Sequence, residues 1–132
     1  MRQYLIETSV IIAYLRGKSE AVEFIDNLNG EIVSSFVCLS ELFEGIYRVK
    51  DRAQAKEQVL KFFAGLSEVY GLYQEISEHF GKLRAGLKEQ GNIIEDLDLL
   101  IAATCTAYDL TLLTLNKRHF ERIPNLKLYS ET

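Results

Sequence analysis

Three carboxylates and one carboxamide stand at the ends of apolar runs in this sequence. Glu7 follows the apolar residues 4–6, and Glu41 lies in the segment after a second short apolar run. Asp98 begins a small-residue apolar stretch, and Asn116 follows the fourth apolar run. Ligands of open parallel sheets bind beyond the carboxyl ends of the strands. If the first and fourth strands are central neighbours, these side chains gather in one oxygen-rich, negative pocket.

Such a pocket suits Mg²⁺ or Mn²⁺, which prefer carboxylate and water oxygens and keep coordination positions open for phosphate oxygens. Hydrolysis of a phosphodiester bond is the reaction that this chemistry favours, because a metal ion polarises the phosphate and generates hydroxide without a protein nucleophile. The hydroxyls of Ser9 and Thr114 are predicted to hold a metal-bound water.

Most of these residues also have a purely structural interpretation. An acid in the first turn of a helix is stabilised by the helix dipole, and this accounts equally well for Glu41 or Asp98 taken alone. Asp96 is predicted to be a simple N-cap of its helix. His119 has no other His or Cys nearby and is predicted to be structural. Glu7 is the exception, since an acid between a buried strand and a helix must be partnered or lie in a cleft.

The elements that position these residues alternate between strand and helix. This alternation predicts a three-layer α/β/α domain with a short, mainly parallel sheet, formed by residues 1–132 as a single domain. The predicted strands cover residues 4–6, 31–35, 67–70, 112–114 and 126–129. The predicted helices include residues 10–15, 19–28, 37–47, 59–66, 73–90 and 96–109.

Local signals refine the helix ends. Ser19 is predicted to cap the second helix, and Ser40 with Glu41 to open the third. Residues 116–119 are predicted to form a polar loop.

Composition narrows the class of protein. The chain has 132 residues, enough for one core, and its two cysteines, Cys38 and Cys105, lie far apart with no partner at metal-ligand spacing. We expect both to be reduced in a cytoplasmic protein, with no signal peptide and no membrane span. The net charge of -4 gives no overall attraction to nucleic acid. Binding of nucleic acid therefore requires a local basic patch, or metal ions that bridge acids to phosphate.

Four segments carry the acidic positions and the amide in a characteristic order. They are residues 4–15 with Glu7-Thr8-Ser9, residues 40–45 with Ser40-Glu41-Leu42, residues 98–104 with Asp98-Leu99-Leu100, and residues 113–124 with Leu115-Asn116-Lys117. In this order they resemble the PIN domain, and more narrowly the VapC toxins of prokaryotic toxin–antitoxin pairs. The resemblance spans essentially the whole chain.

The resemblance implies a Mg²⁺- or Mn²⁺-dependent endoribonuclease. It also implies an RNA substrate, a cognate VapB-like antitoxin that neutralises the enzyme, and a homodimer that can enter a larger toxin–antitoxin assembly. Carried over to this chain, the metal-binding acids are Glu7, Glu41 and Asp98, with Asn116 at a fourth, more variable position.

Two further sets of residues are assigned to partners. The surfaces expected to contact an antitoxin or a second copy are the broad apolar faces around Phe43, Tyr47, Phe62 and Phe63. The basic residues expected to contribute to RNA specificity are Arg84, Lys117 and Arg118.

Glu7 departs from the family pattern, in which the first acid is an aspartate. The extra methylene extends the carboxylate by about 1.5 Å, whereas metal constellations tolerate only about 0.5 Å of misplacement. The hypothesis is that this chain is a weakened or inactive form of a toxin through a deliberate substitution. The alternative is a natural variant in which the backbone compensates for the longer side chain.

Two other functions remain as alternatives. A catalytically silent PIN domain would act as an RNA- or antitoxin-binding module, and metal-dependent turnover distinguishes it from the enzyme. A phosphatase on a similar sheet is disfavoured, because Thr8 and Ser9 follow Glu7 and no second aspartate stands two residues further on for acid catalysis.

Overall fold

The computed structural model describes residues 2–130 and contains, within that range, five strands and seven helices. The strands are β1 (Gln3–Ile6), β2 (Glu31–Ser35), β3 (Glu68–Tyr70), β4 (Thr111–Leu113) and β5 (Lys127–Leu128). The helices are α1 (Thr8–Leu15), α2 (Ser19–Asp26), α3 (Phe36–Ile46), α4 (Arg52–Ala64), α5 (Gln74–Glu89), α6 (Asp96–Tyr108) and α7 (Lys117–Phe120).

The strands form one parallel sheet in the order β3-β2-β1-β4-β5. The chain moves outward from β1 to β3 and then returns to the other side of β1 as β4. Right-handed crossovers therefore place α1 to α4 on one face of the sheet and α5 to α7 on the other. The predicted α/β fold with a parallel central sheet is confirmed. The strand order reverses between β1 and β4, which is where ligands of such sheets bind.

The central strands are fully enclosed. Leu5 of β1 lies beside Val33 of β2 and Leu112 of β4, and all three are completely buried. Helix α6 packs with equally buried small side chains, among them Ala102 and Ala103, which let its backbone approach its neighbours closely. Burial of each large aliphatic side chain contributes about 1.5–3 kcal/mol, so this core is the main source of stability.

Helix α2 begins at the predicted residue, but Ser19 is not its cap, and Ser40 with Glu41 does not open α3. Helix α2 begins at Ser19 itself, with Lys18 in the capping position. Helix α3 begins at Phe36, because Ser35 at the end of β2 caps it by accepting a hydrogen bond from the Cys38 backbone. Glu41 is therefore the sixth residue of α3 and lies in its second turn, beyond the part of the helix where the dipole stabilises an acid.

Two other predicted features near the fourth strand also differ. Asp96 is the first residue of α6 and not its N-cap, a position that Glu95 occupies without a side-chain bond. The predicted polar loop after β4 contains the short helix α7, with Asn116 in its capping position. Short polar helices of this kind lack the apolar periodicity by which longer helices are predicted from sequence.

Among the described residues, no helix is long and apolar enough to cross a membrane.

Gly30 packs against the start of β1 so closely that a side chain does not fit. A Cβ atom there would lie 2.3 Å from the backbone oxygen of Arg2 and 2.9 Å from the Tyr4 ring. We expect Gly30→Ala to lower the free energy of unfolding by about 1–3 kcal/mol, as overpacking does elsewhere. Urea denaturation followed by circular dichroism measures this change.

Gly65→Ala is the matched control. Its added Cβ would meet its nearest neighbour, the Phe62 backbone oxygen, at an ordinary 3.5 Å. We expect this variant to be neutral or slightly more stable, because alanine restricts the unfolded chain. Equal destabilisation by both substitutions would contradict the close-approach explanation.

Candidate functional site

Glu7 is placed by the pairing of the two central strands. Ile6 of β1 lies opposite Leu113 of β4, so the residues that follow them, Glu7 and Thr114, stand side by side at the switch point. The Glu7 backbone N–H donates to the Leu113 carbonyl at 3.0 Å. The Thr114 hydroxyl donates to the Glu7 carboxylate at 2.6 Å. Strand register alone therefore brings these two side chains together.

A second hydroxyl donates to the same oxygen of Glu7. Ser9 Oγ lies 2.5 Å from Glu7 Oε1, the atom that also accepts the bond from Thr114. Each hydroxyl oxygen in turn accepts a backbone N–H, that of Leu115 for Ser9 and that of Asn116 for Thr114. These backbone bonds orient both hydroxyl protons towards Glu7, which is only 3% exposed. The network explains how a carboxylate is accommodated at a buried position.

Ser9 and Thr114 have a direct contact with Glu7 that their predicted role does not include. Both hydroxyls donate to the Glu7 carboxylate and so position it. That they also hold a metal-bound water stays a prediction.

Glu41 reaches the same region from α3. The Thr8 hydroxyl, next in sequence to Glu7, donates to Glu41 Oε1 at 2.7 Å. Burial raises the pKa of Glu41, the bond from Thr8 opposes that rise, and the charges of Glu7 and Asp98 add to it. Glu41 therefore lies close enough to both other acids for their charges to repel its own.

Asp98 lies in the first turn of α6, beside the imidazole of His119. His119 Nδ1 lies 3.5 Å from Asp98 Oδ2, and the imidazole is itself largely exposed. Burial raises the pKa of Asp98, while the bond and charge of His119 lower it and the charge of Glu95 raises it. The first-turn position of Asp98 agrees with the prediction and is favoured by the helix dipole.

Two other predicted site residues lie outside this group of acids. Asn116 connects to Glu7 through Thr114, whose hydroxyl accepts its backbone N–H. Asp96 forms an ion pair with Arg84, which also donates to the Ile94 carbonyl at 2.9 Å and lies over the Phe80 ring. This pair ties the start of α6 to α5. Arg84 is thus engaged in contacts within the protein. RNA would have to displace these contacts before Arg84 could contribute to RNA specificity as predicted.

The donor chemistry of the acids fits a hard divalent cation. Glu7, Glu41 and Asp98 offer only carboxylate oxygens, and the raised pKa values of the last two reflect burial of negative charge that a cation would relieve. Within residues 2–130, however, no three acidic, His or Cys side chains already form a closed ligand group. The Glu7 carboxylate accepts bonds from two hydroxyls. Glu41 accepts a bond from Thr8, and Asp98 lies beside His119.

Sequence reasoning missed the roles of Thr8 and His119. The Thr8 hydroxyl holds an acid that lies 33 residues away. His119 Nδ1 lies 3.5 Å from Asp98 Oδ2, a contact that the prediction of a structural histidine did not specify. Both contacts depend on the packing of helices over the sheet, and neither leaves a local pattern in the sequence.

The predicted partner faces are only partly accessible. Phe63 is buried in the core, while Tyr47 is well exposed. Phe62 packs on Tyr14 with 5.4 Å between ring centroids. A groove of ≈ 210 Å³ runs between α1, α3 and α4 and includes Glu41 in its wall.

Comparison with known proteins places this arrangement in a family. The family model described as the PIN domain matches residues 4–126. The chain is 36% identical over 129 residues to the ribonuclease VapC1 of Methanocaldococcus jannaschii, covering 96% of this chain and 87% of that protein. It is 35% identical over 127 residues to the ribonuclease VapC of Rickettsia bellii, covering 94% of this chain and 92% of that one.

Solved structures agree with the sequence relatives. VapBC2 from Rickettsia felis, bound to a DNA fragment from its promoter, superposes with a TM-score of 0.90 at 28% identity, covering 98% of this chain and 99% of that chain. DNA-bound VapBC from Salmonella typhimurium superposes with a TM-score of 0.89 at 27% identity, covering 98% of both chains. The chain therefore belongs to the PIN domain family, within its group of VapC ribonucleases.

Proposed function

We propose that this chain is the toxin of a VapBC-type toxin–antitoxin pair, an endoribonuclease that hydrolyses RNA phosphodiester bonds with Mg²⁺ or Mn²⁺. The observation that carries the proposal is that Glu41 lies near enough to both Glu7 and Asp98 for their negative charges to add to the rise of its pKa, which burial causes in the first place. The membership in a family of ribonucleases supports it.

Glu7 and Glu41 are held by hydroxyl donors. Thr8 fixes Glu41, and the hydroxyls of Ser9 and Thr114 fix Glu7, so these side chains, which would hold the cation, are oriented in advance. Asn116 is the proposed fourth contributor. When bound, a divalent ion polarises the phosphate and lowers the pKa of the attacking water. The protein residues orient that ion and the phosphate, and the hydrolysed bond is one phosphorus–oxygen ester linkage.

The groove between α1, α3 and α4 is the proposed site of the antitoxin. Its wall includes Glu41 together with apolar side chains, among them the exposed Ile12 and Val49. A partner segment laid in this groove would cover one of the acids and block access to it. In this proposal the toxin acts in the cytoplasm, is neutralised there by direct contact, and assembles as a homodimer.

One prediction concerns Glu7→Asp. The family's aspartate is shorter by about 1.5 Å, and a misplacement near 1 Å costs on the order of a hundredfold in rate. We expect the variant to cleave a mixed pool of structured RNAs about a hundredfold faster than the original chain, with Mg²⁺ or Mn²⁺ and not with chelator. Gel-resolved product formation at equal protein concentration measures the difference.

Asp98→Asn is the control, both in the original chain and combined with Glu7→Asp, and it identifies any contaminating nuclease. Equal cleavage by the original chain and by the Glu7→Asp variant would show that glutamate is tolerated at this position. Cleavage by neither form, with both folded and metal present, would favour the catalytically silent binding module.

Another prediction concerns Thr8→Val, which removes the hydroxyl that holds Glu41. Loss of a hydrogen bond to a ligating side chain costs about 10- to 100-fold in metal affinity or activity. We expect Mn²⁺ affinity, measured by calorimetry, to fall within that range, and Thr8→Ser to restore most of it. If the Thr8→Val variant binds Mn²⁺ as tightly as the original chain, Thr8 does not position Glu41.

The charge of Glu41 itself is tested by Glu41→Gln in chelator. Burial raises the pKa of Glu41 above its ordinary value of 4.5. The folded chain therefore loses stability as the pH rises from 4.5 to the raised pKa, and it stays less stable at higher pH. The glutamine keeps an acceptor for Thr8 and removes the charge. We expect a higher Tm than for the original chain at neutral pH. The gain should shrink as pH falls through this window, because the original chain is then protonated too.

Glu57→Gln, on the exposed face of α4, removes the same charge without burial and should leave the Tm nearly unchanged. A pH-independent gain at residue 41 would show that packing, and not charge, is responsible. Thermal unfolding by differential scanning fluorimetry, in steps of about one pH unit from acid to neutral pH, distinguishes the charge effect from the packing effect.

A further inference from the structure

A second feature of the site is a cavity that shares its wall with the acids. It has a volume of ≈ 500 Å³, within the ~300–1,000 Å³ range of small-molecule sites. It lies between the segment after β4, the first two helices and the residue that follows β5. Thr114 and His119 belong to its wall, and these residues contact Glu7 and Asp98 respectively. A ligand in this cavity is therefore one side chain away from two of the proposed catalytic acids.

One side of the cavity is aromatic and fixed in place. The rings of Phe24 and Tyr129 meet edge to face with 6.1 Å between centroids. Tyr129 also packs edge to face on the buried Tyr4 ring at 5.7 Å, and its backbone N–H donates to the Leu112 carbonyl at 2.9 Å. Val10 adds apolar surface. A rigid aromatic and apolar wall suits a flat ring, and stacking on such side chains is how proteins hold single-stranded bases.

The rim of the same cavity is basic. Lys117 and Arg118 line it, both are exposed, and neither forms an ion pair with any residue between positions 2 and 130. No acidic residue belongs to the described lining. In a chain with a net charge of -4, this is a local positive rim, and cations at such a rim attract phosphate.

Asn116 completes the lining with a carboxamide, which carries both a donor and an acceptor. Its backbone N–H is used by Thr114, and no hydrogen bond engages its side chain within the part of the chain that the structure describes. A carboxamide of this kind can pair with the edge of a base that has left its stack.

From these features we propose that the cavity is a nucleotide subsite, which holds the unstacked base of one RNA residue next to the scissile phosphate. The base lies against Phe24 and Tyr129, and its phosphate lies at Lys117 and Arg118. The inference rests on the proposed ribonuclease function and adds the substrate feature that it selects, an unpaired nucleotide at the cut.

Binding of single nucleotides tests this subsite without any cleavage. The ¹⁵N-labelled full chain, in chelator, is titrated with each of the four ribonucleoside 5′-monophosphates, with ribose 5-phosphate and with inorganic phosphate, and amide shifts are followed by NMR. We expect shifts confined to the cavity, at Phe24, residues 113–119 and Tyr129. Stacking of one base strengthens binding by about 5- to 150-fold, so at least one nucleotide should bind more tightly than ribose 5-phosphate by such a factor.

Matched variants assign the two parts of the subsite. Arg118→Gln should weaken the binding of nucleotides and of ribose 5-phosphate by the same factor. Arg122→Gln removes the same charge outside the cavity and should leave both affinities unchanged. Phe24→Leu should remove the extra affinity that nucleotides have over ribose 5-phosphate, and it should leave the affinity for ribose 5-phosphate unchanged. Because Phe24 is partly buried, the amide spectrum of this variant serves as the check that it remains folded.

Three results would overturn the proposal. Equal affinity for nucleotides and ribose 5-phosphate would reduce the cavity to an anion patch. Absence of shifts at the cavity would mean that it takes no nucleotide. Weakened binding of the cognate antitoxin by Arg118→Gln, without any nucleotide response, would assign the cavity to a protein partner. RNA cleavage with no nucleotide binding rejects the subsite alone, and nucleotide binding without cleavage by the Glu7→Asp form rejects the ribonuclease function alone.

Discussion

The register between β1 and β4 is the constraint on which the site depends. Because Ile6 lies opposite Leu113, the next residue of each strand emerges at the same height above the sheet. One of these residues is the carboxylate of Glu7 and the other is the hydroxyl of Thr114. A shift of one residue in either strand would turn every side chain of that strand to the opposite face. The buried core on both faces prevents such a shift, so the hydrophobic interior fixes the position of the polar site.

The acids remain in this position because each has a dedicated polar partner, a hydroxyl for Glu7 and Glu41 and an imidazole for Asp98. A buried carboxylate without a partner is costly, and no buried polar side-chain atom within residues 2–130 lacks one. The donors of Glu7 belong to two different segments, since Ser9 is on α1 and Thr114 follows β4. Backbone N–H groups of the segment after β4 orient both hydroxyls, so the position of that segment determines the orientation of Glu7.

The sequence predicted the fold more completely than the site, for a physical reason. Strands and long helices follow from the periodicity of apolar residues, which is a local property. The grouping of Glu7, Glu41 and Asp98 followed from the general behaviour of parallel sheets and from the family resemblance. The partners of Glu41 and Asp98 did not, because Thr8 and His119 meet these acids across long stretches of chain. Contacts between a helix turn and a distant side chain depend on packing angles, which residue types alone do not determine.

The segment from residue 113 to residue 119 joins the two halves of this site. Its backbone orients the hydroxyls that hold Glu7, and His119 at its far end contacts the carboxylate of Asp98. The same few residues line the aromatic cavity and carry its basic rim. Anything that moves this segment therefore shifts the acids and the cavity together. In the proposed subsite, the residues that would contact a nucleotide and those that orient Glu7 thus belong to the same short segment.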